Sequence, residues 1–287
     1  MNIVLTGSTG YIGSAVLKAL LAHGHDVTAL VRSEESAKKV VADRVTPVVG
    51  DLTDTPWLTD QLKASEGAIH LATSDDAETL DDAVVTAVTA AYAGTEKPYV
   101  HTGGIWAFGD GEAIVETDSV DPPELVAWRI PIEKRVLAPG IRGSVVAPGI
   151  VYGYGTGLPA HLITNGPKTR SSLHLVGDGS QHWVTVHVDD LAELYVSVLE
   201  KAPGGDIYIG SSGENPTVRE LGEAAHGIGK VVDEDSAQSR ERLGDRFADA
   251  LLLDQQAAGT TAKNLFSWTP KQPTLVELLR DGYPADR

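Results

Sequence analysis

The amino-acid sequence predicts an α/β fold, a doubly wound parallel sheet followed by a smaller, mostly helical C-terminal part. Three observations carry the prediction. Short β-branched runs alternate with helically spaced apolar residues through the first half, the pattern of a parallel sheet covered by helices. A glycine-rich segment joins the first of these runs to the first helical stretch. After Pro148 the texture changes to a Gly-, Pro-, His- and Ser-rich stretch over 149–182, then to acidic helical sequence from Thr217.

Taken in order, Asn2–Thr6 is an apolar strand, and 11–23 carries Ile12, Ala15, Val16, Ala19 and Leu20 at helical spacing. Strands are expected at Asp26–Val31, Val45–Val49, 68–72 and 99–102, with a sixth at 141–147 after a helical stretch over 124–137. Few polar residues alternate within these runs, which suits a sheet buried on both faces. Pro131 is expected to kink the 124–137 helix. The acidic run Asp75, Asp76, Glu78, Asp81 and Asp82 reads as the start of a solvated helix, where carboxylates suit the dipole. Asp189 or Asp190 can cap a helix reaching Lys201, and 206–209 reads as a further strand.

The 287 residues carry 23 Lys and Arg against 40 Asp and Glu, a net charge of −17. That excess repels phosphate backbones and anionic lipid, so neither nucleic acid nor membrane is an expected partner. With 42% hydrophobic and 22% charged residues, a folded core is expected. The absence of cysteine excludes disulfides, thiolate nucleophiles and Cys-ligated metal. The nine histidines are scattered, and His23 and His25 stand at a helix-to-strand turn without a carboxylate cluster nearby in sequence, so no metal site is expected. No basic leader precedes the first strand, and the apolar run 15–22, broken by Lys18, is too short to span a bilayer. A soluble, cytoplasmic protein is the expectation.

Gly7, Gly10 and Gly13 lie in Thr6-Gly7-Ser8-Thr9-Gly10-Tyr11-Ile12-Gly13, between the first strand and the first helix. Such a turn brings backbone close to a pyrophosphate and aims a helix N-terminus at it, and the last glycine lets helix and strand pack closely. Gly7, Thr9, Gly10, Tyr11, Ile12 and Gly13 are therefore candidate cofactor contacts. At the end of the second strand stands Arg32, where an acidic residue would bind the ribose 2′-hydroxyl of NAD. An arginine accommodates a 2′-phosphate instead, which favours NADP over NAD, with Ser33 and Lys38 as helpers. Asp51 and Leu52 follow the third strand and can clasp the adenine edge, or Asp51 can cap the next helix.

Together these residues resemble the short-chain dehydrogenase/reductase superfamily on its extended or atypical branch, the NAD-dependent epimerase/dehydratase group. The likeness covers nearly the whole chain through TGSTGYIG, GDL, HLA, VHTGGIWAFG, VVAPGIVYG, GDGSQHW and VHVDDLAELY. It implies a Rossmann-like core over 1–148, with 185–210 returning to it, and a substrate-side region over 149–184 and 211–287. It also implies cofactor contacts at Leu71, Ala72, Thr73 and Pro148.

The family's chemistry uses a Ser or Thr after the fifth strand and a Tyr with a Lys four residues on. The ammonium lowers the phenol pKa so that it can exchange a proton as hydride moves. This chain departs from that pattern. Alignment on Glu133 puts Leu125 at the Tyr and Arg129 at the Lys, and none of the eight tyrosines is followed by a Lys four residues later. Gly104 takes the serine position, with Thr102 two residues earlier. Thr102, Tyr152 and Arg129 are therefore the candidate catalytic residues, Tyr152 as replacement acid and Arg129 as its cation. Trp183 stands where relatives acting on nucleotide sugars often carry an arginine for the diphosphate. With Trp106 and His187 it forms the candidate substrate group and points to an apolar or aromatic substrate.

The expected function is an NADP(H)-dependent oxidoreductase acting on a small carbonyl or conjugated, partly apolar substrate, with a non-standard proton donor. Two alternatives stand beside it: a catalytically silent dinucleotide-binding sensor or interaction module, and a nucleotide-sugar epimerase or dehydratase. A homodimer is also weighed.

Overall fold

The computed structural model describes residues 1–285; the last two residues of the expected 211–287 segment lie outside them. The chain divides into two compact units. The first comprises Met1–Gly103, Trp128–Ala147 and Leu191–Tyr208, and the second Gly104–Ala127, Pro148–Asp190 and the chain from Ile209 onward.

Six strands, β1 (Asn2–Thr6), β2 (Asp26–Val31), β3 (Val45–Val49), β4 (Gly67–Ile69), β5 (Pro98–Thr102) and β6 (Arg142–Pro148), alternate with helices α1 (Tyr11–Ala22), α2 (Glu34–Lys38), α3 (Thr55–Lys63), α4 (Ala77–Tyr92) and α5 (Arg129–Val136). The sheet order is β6-β5-β4-β1-β2-β3, with the strand Ile207–Gly210 outside β6. The pairings among β1 to β6 are all parallel. The chain therefore reverses its direction of travel between β1 and β4, the switch point at which open α/β sheets bind ligands. One core joins Val4, Ala68, Tyr99 and Val145 of the sheet to Leu58 and Leu62 of α3, Val84, Val88 and Tyr92 of α4, and Ile132 and Val136 of α5. Opposite β2, the outer edge strand β3 carries Pro47 at its centre.

β1, β2 and β3 occupy the expected residues, while β4 stops at Ile69 rather than 72 because the chain turns there into the loop before α4. Pro131 does not kink a long helix. α5 begins only at Arg129, so the proline falls in its first turn, where no intrahelical N–H is required. Asp54, not Asp51, caps α3, accepting from Trp57 N at 3.1 Å.

The second unit has its own core, in which Ile150, Tyr152, Leu162, Leu173, Trp183, Leu221, Leu251 and Leu275 are buried. Short helices dominate its C-terminal part; Val218–His226, Ser236–Leu243 and Leu275–Arg280 each start on a reciprocal capping box, which satisfies first-turn amides in pieces too short to hold themselves. Among the described residues, no helix is long and apolar enough to cross a membrane.

Candidate functional site

The turn after β1 is built on space that only glycine leaves. Gly7 has φ +72°, and a Cβ there would stand 2.5 Å from the Leu71 carbonyl carbon. A Cβ on Gly13 would fall 2.0 Å from the Gly7 oxygen, so α1 can approach β1 only without a side chain at this position. Gly10 differs: its Cβ would meet nothing closer than 3.2 Å. No side chain caps α1, and Ser8 Oγ is buried with no partner among the described residues.

This turn opens on a cleft of about 590 Å³ whose walls include Gly7, Thr9, Gly10, Val31, Arg32, Ser36, Asp51, Leu52, Leu71, Ala72, Thr73 and Ser74. Nine residues expected as cofactor contacts are thus brought to one cavity. Tyr11, Ile12 and Gly13 lie in the first turn of α1 and are not among its walls, and Pro148 belongs to the second unit. Ser33 caps α2, its Oγ accepting from Ser36 N and donating to Ser36 Oγ; of these two serines it is Ser36 that lines the cleft. Lys38 is exposed in the last turn of α2. Asp51 accepts from the backbone N–H and hydroxyl of Thr53, which holds its carboxyl below the ordinary range. A glycine cradle, an uncapped helix start, an orphaned buried hydroxyl and Arg32 on one wall together fit a nicotinamide dinucleotide.

Beside this cleft, still within the first unit, lies a buried polar cluster. Register Ile69↔Val100 sets His70 and His101 side by side on adjacent chain segments, with rings stacked at 5.6 Å. Both face Asp81 of α4, which is 4% exposed: His70 Nε2 is 3.0 Å from Oδ1 and His101 Nε2 3.5 Å from Oδ2. Asp81 is therefore not part of a solvated helix start; the sequence placed it on the exposed run, and the fold turns it inward. Burial works against its charge, but the two histidines outweigh it and hold the carboxyl well below the usual range. Arg129 Nη1 lies 3.6 Å from the same carboxylate and donates to Thr102 O at 3.1 Å, and the guanidinium stacks on Trp128. Thr102 Oγ1 donates to His70 O at 2.7 Å and lies 2.9 Å from Tyr195 Oη. Since its one proton is given to His70 O, it accepts from Tyr195. One helical turn past Arg129, Glu133 is buried with Oε1 unpartnered, and burial pushes its carboxyl up to about 7 although Arg129 opposes the rise.

The remaining candidates lie in the second unit. Tyr152 Oη donates to Pro273 O at 3.0 Å, and burial raises its phenol well above the ordinary value; the expected acid role meets a hydroxyl already committed. His187 is buried, its Nδ1 accepts from Asp189 N at 3.2 Å, and Tyr152 and Tyr154 pack edge-on to its ring. Trp183 is a core residue whose indole N–H donates to Leu251 O. Trp106 is half-buried and edge-on to Phe247. Gly104, at the family's serine position, has open space where a Cβ would be. His23 and His25 meet Glu193 and Glu200, carboxylates some 170 residues away in sequence, and no group of three or more potential metal ligands assembles among the described residues.

The Asp81 cluster is what sequence reasoning missed. The available signal was a histidine at matching places in two buried strands, a pair that needs a polar partner in the core.

Comparison with known proteins agrees with this architecture. Residues 7–109 match the NAD(P)H-binding family model and 133–210 that of the NAD dependent epimerase/dehydratase family. An uncharacterized protein of Schizosaccharomyces pombe is 30% identical over 99% of this chain and 100% of its own length. A 4-hydroxy-2-methyl-3-oxo-4-farnesyl-3,4-dihydroquinoline-1-oxide ketoreductase of Stigmatella aurantiaca is 28% identical over 74% of this chain and 69% of its own. The NAD complex of a Thermus thermophilus UDP-glucose 4-epimerase superposes with a TM-score of 0.73 at 21% identity, over 99% of both chains. The chain belongs to the NAD dependent epimerase/dehydratase family.

Proposed function

We propose that the protein is an NADP(H)-dependent oxidoreductase acting on a small carbonyl or conjugated, partly apolar substrate. The observation that carries this reading is the switch-point cleft, whose walls hold both the Gly7–Gly10 turn and Arg32. A planar guanidinium suits a 2′-phosphate bidentately, with the Ser36 hydroxyl as a second donor. When bound, the nicotinamide supplies or accepts the hydride.

Arg129 takes the electrostatic part. With one N–H on Thr102 O, it keeps further donors for an oxygen that gains negative charge as hydride arrives. A guanidinium does not give up its proton, so the proton comes from water. Thr102 acts as a positioning group, its own hydrogen held by His70 O. The ketoreductase name of one relative supports the carbonyl class. The committed hydroxyls of Thr102 and Tyr152 favour a second reading, a dinucleotide-binding module without turnover.

Fluorescence titration of the protein with NADPH and with NADH tests the cofactor. NADPH is expected to bind at least about tenfold tighter, a difference of about 1.4 kcal/mol. NADPH consumption over a panel of ketones, aldehydes and enones then separates the two readings, and binding of neither nucleotide refutes both.

A further inference from the structure

We propose that Asp81 is a positioning residue that holds two things at once: the Arg129 guanidinium beside Thr102, and the Leu71–Ala72 backbone that walls the nucleotide cleft. The catalytic half rests on the oxidoreductase reading above; the binding half stands without it.

From Leu71 and Ala72 to Asp81 the hydrogen bonds define a directed chain, and His101 and Arg129 meet the same carboxylate at ion-pair distance. Thr6 Oγ1 accepts from Leu71 N at 3.1 Å and Ala72 N at 3.2 Å, which uses both of its lone pairs. Its own hydrogen is then left for His70 Nδ1, 2.7 Å away. His70 must therefore carry its ring hydrogen on Nε2, aimed at Asp81 Oδ1. Tyr99 Oη contacts His101 Nδ1 at 2.9 Å, which leaves His101 Nε2 facing Oδ2. Asp81 thus receives a ring from β5, a ring from the end of β4, and the guanidinium at the start of α5.

Titratable groups facing it are His70, His101, Tyr99, Arg129 and Glu133. Arg129 is the only cation among them that does not need to take up a proton. A buried carboxylate is costly to desolvate and is weak evidence for stability in itself. What this one supplies is a fixed orientation for groups at the walls of the cleft and beside Thr102, of the kind that ordered hydrogen bonds confer on reacting centres.

The test compares wild type with Asp81→Asn, an isostere that removes the carboxylate charge facing both rings and Arg129, and with Ser65→Ala. Ser65 is buried against Tyr92 and Leu62, so its variant loses stability without touching this chain of bonds. Asp81→Asn is expected to weaken NADPH binding roughly fivefold or more, and to lower kcat about tenfold or more with little change in substrate KM. Ser65→Ala is expected to leave all three unchanged. An Asp81→Asn protein with wild-type NADPH affinity overturns the binding half, and one with wild-type kcat overturns the catalytic half. If wild type binds NADPH but turns over no substrate, the oxidoreductase reading falls and the affinity measurement alone decides the proposal. Should Asp81→Asn fail to fold, ¹⁵N NMR of His70 in wild type decides: hydrogen on Nε2 supports the chain, and hydrogen on Nδ1 overturns it.

Discussion

Two methyl groups three residues apart should have opposite consequences. Gly10 and Gly13 both have backbone angles that alanine adopts, Gly10 with φ −82° and Gly13 inside α1, so only space distinguishes them. The Cβ of Gly13→Ala would overlap the Gly7 oxygen at 2.0 Å and the Gly7 carbonyl carbon at 2.6 Å. Backbone cannot swing aside as a flexible side chain can, so α1 must move off β1. Overpacking of this kind costs about 1–3 kcal/mol, partly offset by roughly 0.5–1 kcal/mol of helix propensity gained over glycine. Taken at the middle of each range, a net loss of about 1 kcal/mol lowers Tm by roughly 2–4 °C for a unit of this size. Gly10→Ala meets only the Gly7 oxygen at 3.2 Å, so its Tm should stay close to wild type, while its methyl occupies the wall where a pyrophosphate would approach. NADPH affinity should fall at least about tenfold. Thermal unfolding by circular dichroism and NADPH titration on both variants suffice. A Gly13→Ala protein as stable as wild type, or a Gly10→Ala protein with unchanged NADPH affinity, would refute the reasoning.

Arg32→Asp should invert the nucleotide preference, weakening NADPH and strengthening NADH for a combined change of at least about tenfold in their Kd ratio; an unchanged ratio in paired titrations would exclude Arg32 from the phosphate. Glu133 has a folded carboxyl raised from 4.5 to about 7, so the folded state binds its proton more tightly and the stability this contributes below about pH 4.5 is lost as pH rises toward 7. Glu133→Gln should therefore gain on wild type between about pH 5 and pH 8, by up to about 3 kcal/mol, and parallel stability–pH curves from urea unfolding would contradict this. Tyr152→Phe should keep turnover within roughly threefold and lose about 1 kcal/mol of stability with its bond to Pro273; loss of activity at unchanged Tm would return the acid role to that phenol.

The parts of the fold legible in sequence were those set by local pattern. β1, β2 and β3 follow from continuous apolar runs, and the Gly7, Gly10, Gly13 spacing fixes its turn through contacts within a few residues. What escaped depends on pairing across the fold. Asp81 and Asp82 are neighbours in one acidic run, yet Asp81 is buried against histidines 11 and 20 positions away while Asp82 meets Arg135 at the surface; no helical period separates the two without knowing which face α4 presents. Pro131 was misjudged for a similar reason. Residues 124–128 have helical composition but adopt turns, so the proline stands at a helix start rather than in its interior. The committed hydroxyls of Thr102 and Tyr152 were also invisible, since their partners His70, Tyr195 and Pro273 lie 32, 93 and 121 residues away.

Pro47 also bears on how the molecule meets copies of itself. In β3, residues 44, 46, 48 and 50 turn their backbone groups toward β2, as Val27 N on Arg44 O and Gly50 N on Val31 O require, so 45, 47 and 49 face outward. Val45 N is spent on Ala42 O and Pro47 has no hydrogen to give, which leaves Val49 as the one outward donor along that margin. At the opposite margin, Ile209 N is held by the Glu116 carboxylate. A foreign strand seeking to extend this sheet would find few free donors at either border. Ribbon continuation of this seven-stranded sheet is thereby disfavoured at both of its margins.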